Sequence, residues 1–164
     1  MENYILSLLI FIPIFGALVM LPICKYFGSS NAKVVALITT AVQFLLSFWL
    51  YCNFDSSVSI VNSPFTINIE WIKHFNMYYY IGVDGLSMPM VFLTSLLSFL
   101  CILASWNIEK RPLGYFALFL LLDTGMMGVF LSLDFFLFYI FWEVMLLPMY
   151  FLIGMWGGPQ RHYA

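Results

Sequence analysis

Five stretches of this 164-residue chain stay apolar for the thickness of a bilayer, and they leave little sequence for anything else. A hydrocarbon core of roughly 30 Å is crossed by about 20 mostly apolar residues in helical form. The stretches cover about 4–23, 34–51, 82–106, 113–131 and 135–155. Each predicts a transmembrane helix, because a helix closes its backbone hydrogen bonds internally and lipid offers no partner for one left open. Composition argues against a soluble bundle. The chain is 63% hydrophobic and 9% charged, where soluble domains average about 45–50% apolar and about 25% charged residues. The chain therefore reads as an all-α membrane protein with five predicted transmembrane helices, forming a single transmembrane region over 1–164. The first apolar run is too long for a signal-peptide core and follows Glu2 rather than a basic cluster, which predicts no cleaved leader.

If the helices alternate in direction, Lys25, Lys33, Lys110, Arg111 and Arg161 share one side and Lys73 stands alone on the other. An excess of basic residues marks the cytoplasmic side, so the 53–80 loop and the turn at Asp134 are expected outside. Only Ser132, Leu133 and Asp134 separate the last two spans, which must pair antiparallel. In the outer loop, Phe65 to Trp71 alternates apolar and polar residues, the period of a short surface strand. Trp71 and Tyr78 to Tyr80 suit a membrane interface.

Several chemistries find no footing. Six Lys and Arg residues cannot build a phosphate-binding stripe, so nucleic acid is not an expected partner. Cys24, Cys52 and Cys101 share no ligand spacing and read as small buried hydrophobes. His74 and His162 are isolated, and no glycine-rich phosphate loop follows a strand. No cofactor is expected in this chain itself.

Charge inside the spans is more informative, because an ionisable group near the bilayer centre is costly unless it faces a partner or water. Glu143 lies nine residues after Asp134, which at 1.5 Å per residue is roughly 13 Å into the membrane. Pro148 has no N–H for the Val144 carbonyl, so a kink and a wettable spot are expected one turn beyond Glu143. An acid whose charge depends on a partner can load and release a proton, and Glu143 is the first candidate for proton transfer. Asp123, beside Thr124 and the small residues Gly125 and Gly128, is the second candidate on a proton path. Asp84 or Ser87 is placed to cap the third helix. Asp134 and Glu109 fall at boundaries and are expected to be solvated.

Two blocks carry a resemblance. Gly82-Val83-Asp84-Gly85-Leu86-Ser87-Met88 resembles the GxDGLS stretch of the antiporter-like subunits of respiratory complex I. The second block opens with Gly128-Val129-Phe130 and Asp134 to Tyr139, continues through Phe141-Trp142-Glu143 and Leu147 to Ile153, and closes on Trp156-Gly157-Gly158. It resembles the chain M family of bacterial NADH-quinone oxidoreductase, whose mitochondrial counterpart is chain 4. The DGLS stretch alone is shared with cation/proton antiporters and membrane-bound hydrogenases.

The resemblance implies a proton-translocating subunit that couples electron transfer from NADH to quinone. It puts the family's essential glutamate at Glu143, paired with a lysine on a later, broken helix. NADH, flavin, iron–sulfur clusters and quinone belong to the parent complex. The implied partners are other membrane subunits, above all adjacent antiporter-like ones, and the lipid bilayer. The implied place is a bacterial inner membrane, with the mitochondrial inner membrane as the alternative. The family has roughly fourteen spans and no lysine lies inside the five read here. The chain is thus expected to be the amino-terminal part of a fourteen-helix antiporter-like fold, and not to pump protons alone. Two other readings stand beside it: a subunit of a multisubunit cation/proton antiporter, or a shortened chain with a structural or assembly role.

Overall fold

A computed structural model of the protein describes residues 4–28, 31–55, 63–75 and 77–158. The five apolar stretches form five helices: α1 (Ile5–Phe27), α2 (Asn31–Asn53), α3 (Ser87–Ala104), α4 (Pro112–Leu131) and α5 (Phe135–Trp156). All five are long and apolar enough to span a bilayer. Gly28, at φ 94°, ends α1 in a conformation glycine adopts without strain, and its N–H donates to the Cys24 carbonyl at 3.1 Å. Pro112 opens α4 at a position where a missing N–H costs nothing. The helix α5 passes through Pro148 without ending.

The first helix runs on to Phe27 and the second starts at Asn31, a few residues beyond the expected spans, and the largest difference is at the third. The third helix begins at Ser87, five residues later than the apolar run from Gly82. The intervening backbone is committed elsewhere. Gly82 N–H donates to the Leu131 carbonyl and Leu133 N–H to the Tyr80 carbonyl, each at 2.9 Å. Asp84 then closes a reciprocal cap. Its Oδ1 accepts from the backbone N–H of Ser87 (2.6 Å) and Leu86 (3.1 Å), while Ser87 Oγ accepts from Asp84 N–H at 2.9 Å. This is a capping box with serine in the return position. Asp134 does similar work for α5, accepting from the N–H groups of Phe136 (2.9 Å) and Leu137 (3.1 Å). It is a helix cap as well as a boundary residue.

The outer loop forms a hairpin. Strand β1 (Ile67–Ile72) pairs antiparallel with β2 (Met77–Ile81), in register from Ile67 opposite Ile81 to Glu70 opposite Tyr78, after which a one-residue shift at Trp71 puts Ile72 opposite Met77. The first strand was expected; its partner was hidden in the tyrosine run, where aromatic residues favour strands but alternation is missing. The hairpin covers one end of the bundle through buried Phe65, Ile67 and Ile81, and Tyr79 shares a 3.0 Å hydrogen bond with Ser7.

At the opposite end, Lys33 Nζ donates to the Trp106 carbonyl at 2.6 Å and Lys110 Nζ to the Met155 carbonyl at 3.4 Å. These lysines satisfy carbonyls that helix ends leave open. The contacts gather the C-terminal ends of α3 and α5 with the N-terminal ends of α2 and α4, as alternating crossings require. Lys73 lies at the hairpin end, where it pairs with Glu70 at 3.6 Å. Arg161 lies outside the described residues.

Helix α4 touches all four other helices. Its closest approach is to α5, as the short turn demands. A Cβ at Gly125 would stand 2.9 Å from Met145 Cβ and 3.0 Å from its Cα, and one at Gly128 would overlap the Phe141 ring. The small residues do admit a neighbouring helix, and that helix is α5. Cys24 is buried, but Cys52 and Cys101 are exposed. The last two face outward, where a small apolar side chain is equally at home in lipid, and this corrects the reading of all three as buried.

Two outcomes follow from this packing. Gly125→Leu forces α5 off α4 at backbone level and should lower stability by about 1–3 kcal/mol, read as reduced thermal stability of the detergent-solubilised subunit. Asp84→Ala should cost about 1 kcal/mol, with Asn largely restoring the cap. The Ser87 N–H bond, ahead of the other hydrogen bonds, holds the Asp84 carboxyl below its ordinary value. Its contribution is therefore complete above the unfolded pKa and is lost as pH falls through the depressed folded value. Asp84→Asn should remove that acid sensitivity.

Candidate functional site

The helices carry their polarity inside out. The buried residues of α2 include Ala32, Ala36, Thr39, Thr40, Gln43, Ser47 and Leu50, spaced for one helical face. Helix α3 buries Val91, Thr94, Ser95, Ser98 and Ile102, and α4 buries Leu120, Asp123, Thr124 and Met127. Long apolar side chains such as Ile38, Leu45, Leu93, Leu97 and Leu100 point outward. Where lipid is the solvent, the polar face is the one that needs protein partners.

Those residues meet as a layer in the middle of the bundle. Ser47 and Ser95 share a 2.5 Å hydrogen bond between α2 and α3. Ser98 Oγ donates to Asp123 Oδ1 at 2.5 Å, joining α3 to α4. Gln43 Nε2 donates to the Leu9 carbonyl of α1 at 3.2 Å, and the Gln43 side chain also lies against Asp123. Thr39, Thr40, Thr94 and Thr124 bond back to carbonyls of their own helices. Apolar clusters close the layer at both ends. Leu9, Ile10, Leu50, Val91, Met127 and Leu131 stand toward the hairpin. Met20, Ala36, Ile102, Phe116 and Leu120 stand toward the lysine end.

Asp123 sits in this layer with no exposed surface. Asp123 stands out in the sequence as an acid within a span, whereas Gln43, Ser47, Ser95 and Ser98 do not. Their signal was present as small polar residues at three- and four-residue spacing within apolar runs.

Glu143 lies on the other side of α5, exposed on the outer surface of the bundle. It lines an open groove of about 700 Å³ with Leu121, Val144, Leu147, Tyr150 and Phe151. The Tyr139 hydroxyl, one turn earlier, reaches the Glu143 carboxylate. Helix α5 is the least covered: 17% of its apolar window is buried, against 33–44% in the other four. The two acids are thus not brought together. One is sealed among α2, α3 and α4, and the other faces away from them. Pro148 packs inward one turn beyond Glu143 and is buried. Asp84 belongs to the α3 cap. Among the described residues, no three His, Cys, Asp or Glu side chains gather as metal ligands.

Comparison with known proteins matches the same span. Residues 8–133 match the family described as NADH-ubiquinone oxidoreductase chain 4, amino terminus. Residues 132–164 match the family described as NADH:quinone oxidoreductase/Mrp antiporter, TM. NADH-quinone oxidoreductase subunit M of Rhodobacter capsulatus is 40% identical, over 100% of this chain and 32% of that protein. NADH-ubiquinone oxidoreductase chain 4 of Mycosarcoma maydis is 38% identical, over 93% of this chain and 31% of its own length. The chain therefore spans about a third of the curated relatives it matches. Among solved structures, a chain of respiratory complex I from Thermus thermophilus superposes with a TM-score of 0.76 at 22% identity, covering 96% of this chain and 30% of that one. A chain of an archaeal membrane-bound sulfane sulfur reductase gives 0.71 at 16% identity, covering 93% and 23%. These two likenesses bear on the fold, which is that of the antiporter-like subunits. Five spanning helices and a family match over most of its length make this chain a multi-pass membrane protein that belongs to the NADH-ubiquinone oxidoreductase chain 4 family, the antiporter-like membrane subunits of complex I.

Proposed function

We propose that the chain forms part of a proton-translocating membrane subunit of an NADH-quinone oxidoreductase, with Glu143 as the protonatable group near the midplane. The observation that carries this reading is the position of Glu143. It is an acid deep in a spanning helix, on the least covered of the five helices. A carboxylate facing lipid is strongly disfavoured, so such a group works only against protein, water or a cation. The curated relatives are about three times as long, and we assign the covering of this face to the helices that their remaining length would supply. A basic partner there would hold Glu143 ionised, and withdrawal of that partner would let it take up a proton. Tyr139 offers a hydroxyl beside the carboxylate.

In this reading the electron chemistry of NADH, flavin, iron–sulfur clusters and quinone belongs to other subunits of the complex. Neighbouring antiporter-like subunits are the partners, and a bacterial inner membrane is the setting, with the basic helix ends on the cytoplasmic side. A cation/proton antiporter subunit is the second reading, because the match over residues 132–164 is to a family description that names both. The match over residues 8–133, whose description names the oxidoreductase chain alone, favours the first.

The test is Glu143→Gln in the full-length subunit, with proton pumping measured in vesicles carrying the assembled complex. Pumping should be lost or strongly reduced while the complex still assembles. Normal pumping in that variant would remove Glu143 from the mechanism.

A further inference from the structure

We propose that the groove between the hairpin and the adjoining ends of α1 and α5 holds a phospholipid of the phosphatidylethanolamine type, with an acyl chain along the groove and its ammonium on Glu70. The groove has a volume of about 430 Å³, within the roughly 300–1,000 Å³ of small-molecule sites. Phe11 of α1 and Ile140 and Phe141 of α5 line it on the helix side, and Ile69, Glu70 and Trp71 of β1 on the hairpin side. Three consecutive strand residues can border one groove because the register shifts at Trp71, and a bulge re-aims the side chains beside it. Tyr79, opposite Ile69 in the hairpin, adds a wall that its 3.0 Å bond to Ser7 ties to α1.

Depth, exposure and charge together select this occupant. Phe11 and Phe141 each lie six residues past the first residues of their helices, Ile5 and Phe135, which at 1.5 Å per residue is roughly 9 Å. The groove therefore ends within the hairpin-side half of a core roughly 30 Å thick, where the chains of one leaflet lie. Ile69 and Trp71 are 56% and 54% exposed, and a strand that presents such residues together needs an apolar cover. Trp71 also suits the headgroup level. Among the lining residues Glu70 alone is charged. An occupant that is apolar along its length and cationic at its hairpin end matches that pattern. Lys73 Nζ stands 3.6 Å from Glu70 Oε2 on a side chain that is 81% exposed, within reach of a phosphate beside the ammonium. An ethanolamine headgroup presents both charges, the ammonium to the carboxylate and the phosphate to the lysine. Phosphatidylglycerol has the phosphate without the ammonium and would set a negative charge beside Glu70. The site shares no lining residue with the groove at Glu143 and does not rest on the function proposed for that acid.

Native mass spectrometry of the full-length subunit in detergent, titrated with palmitoyl-oleoyl phosphatidylethanolamine or palmitoyl-oleoyl phosphatidylglycerol, tests this. The wild-type subunit should bind the ethanolamine lipid more tightly. Glu70→Gln should cut that preference roughly fivefold, the upper end for a half-exposed ion pair. Glu70→Lys should turn the preference toward phosphatidylglycerol, which a merely structural role of Glu70 would not do. Ile140→Trp fills the groove and should remove one bound lipid per subunit. The proposal is overturned if the wild type does not distinguish the two lipids, or if either Glu70 variant leaves the preference unchanged. An unchanged lipid count in Ile140→Trp would overturn it as well, and would assign the groove to another part of the full-length chain. If Ile140→Trp does not fold, the two variants at exposed Glu70 still decide the matter. Normal pumping in Glu143→Gln would overturn the Glu143 reading and leave this one standing.

Discussion

In lipid, a side chain that needs a hydrogen bond can find one only in another part of the protein. The arrangement of this bundle follows from that constraint. Thr, Ser and Gln residues that a soluble helix would turn to water are turned inward, while leucines and isoleucines such as Leu45, Leu93 and Ile38 are turned out. The helices are thereby oriented about their axes by polar groups, with apolar packing filling in above and below. Because lipid tails are as apolar as leucine, burial of apolar surface alone would leave the rotation of each helix weakly specified. The contacts Ser47–Ser95, Ser98–Asp123 and Gln43–Leu9 supply the missing specification, each linking a different pair of helices.

Close approach is the second half of the same logic. Helix α4 contributes to both sides of the molecule. One face offers Asp123 and Thr124 to the polar layer, and the face bearing Gly125 and Gly128 lets α5 come to backbone distance. The turn between them is short, and it is pinned from outside by the Gly82–Leu131 and Leu133–Tyr80 bonds of the hairpin segment. The conspicuous GVDGLS stretch is therefore explained locally. Its glycine ties the hairpin to the end of α4, and its aspartate and serine start α3.

Much of this was legible in the sequence, because span length and the scarcity of charge constrain a membrane chain strongly. The five helices, the α4–α5 pairing, the gathering of the basic residues at one end and the capping by Asp84 all follow from residues that can be read singly. What escaped depended on partners. The start of α3 was misplaced because Gly82 to Leu86 is apolar in composition while its backbone is bonded to another helix. The second strand was missed because β2 takes its register from β1, not from any alternation of its own. The polar layer was missed because hydroxyls and an amide scarcely lower the hydropathy of a run, and only their shared face across three helices marks them. For the acids, sequence could rank Glu143 and Asp123 as unusual but could not tell which faces in.

That last distinction bears most directly on function. Two carboxyl groups at similar depth in adjacent helices meet opposite surroundings. Asp123 has no exposed surface and accepts a hydrogen bond from Ser98 between α3 and α4. Glu143 stands on the least covered helix, beside a tyrosine hydroxyl and an open groove. An acid in that position is incomplete as an electrostatic arrangement. Lipid will not accept it charged, and the five helices described here offer it no cation. Under the proposed function, a protein surface that packs against α5 would also face Glu143, so that interface and site would be one surface.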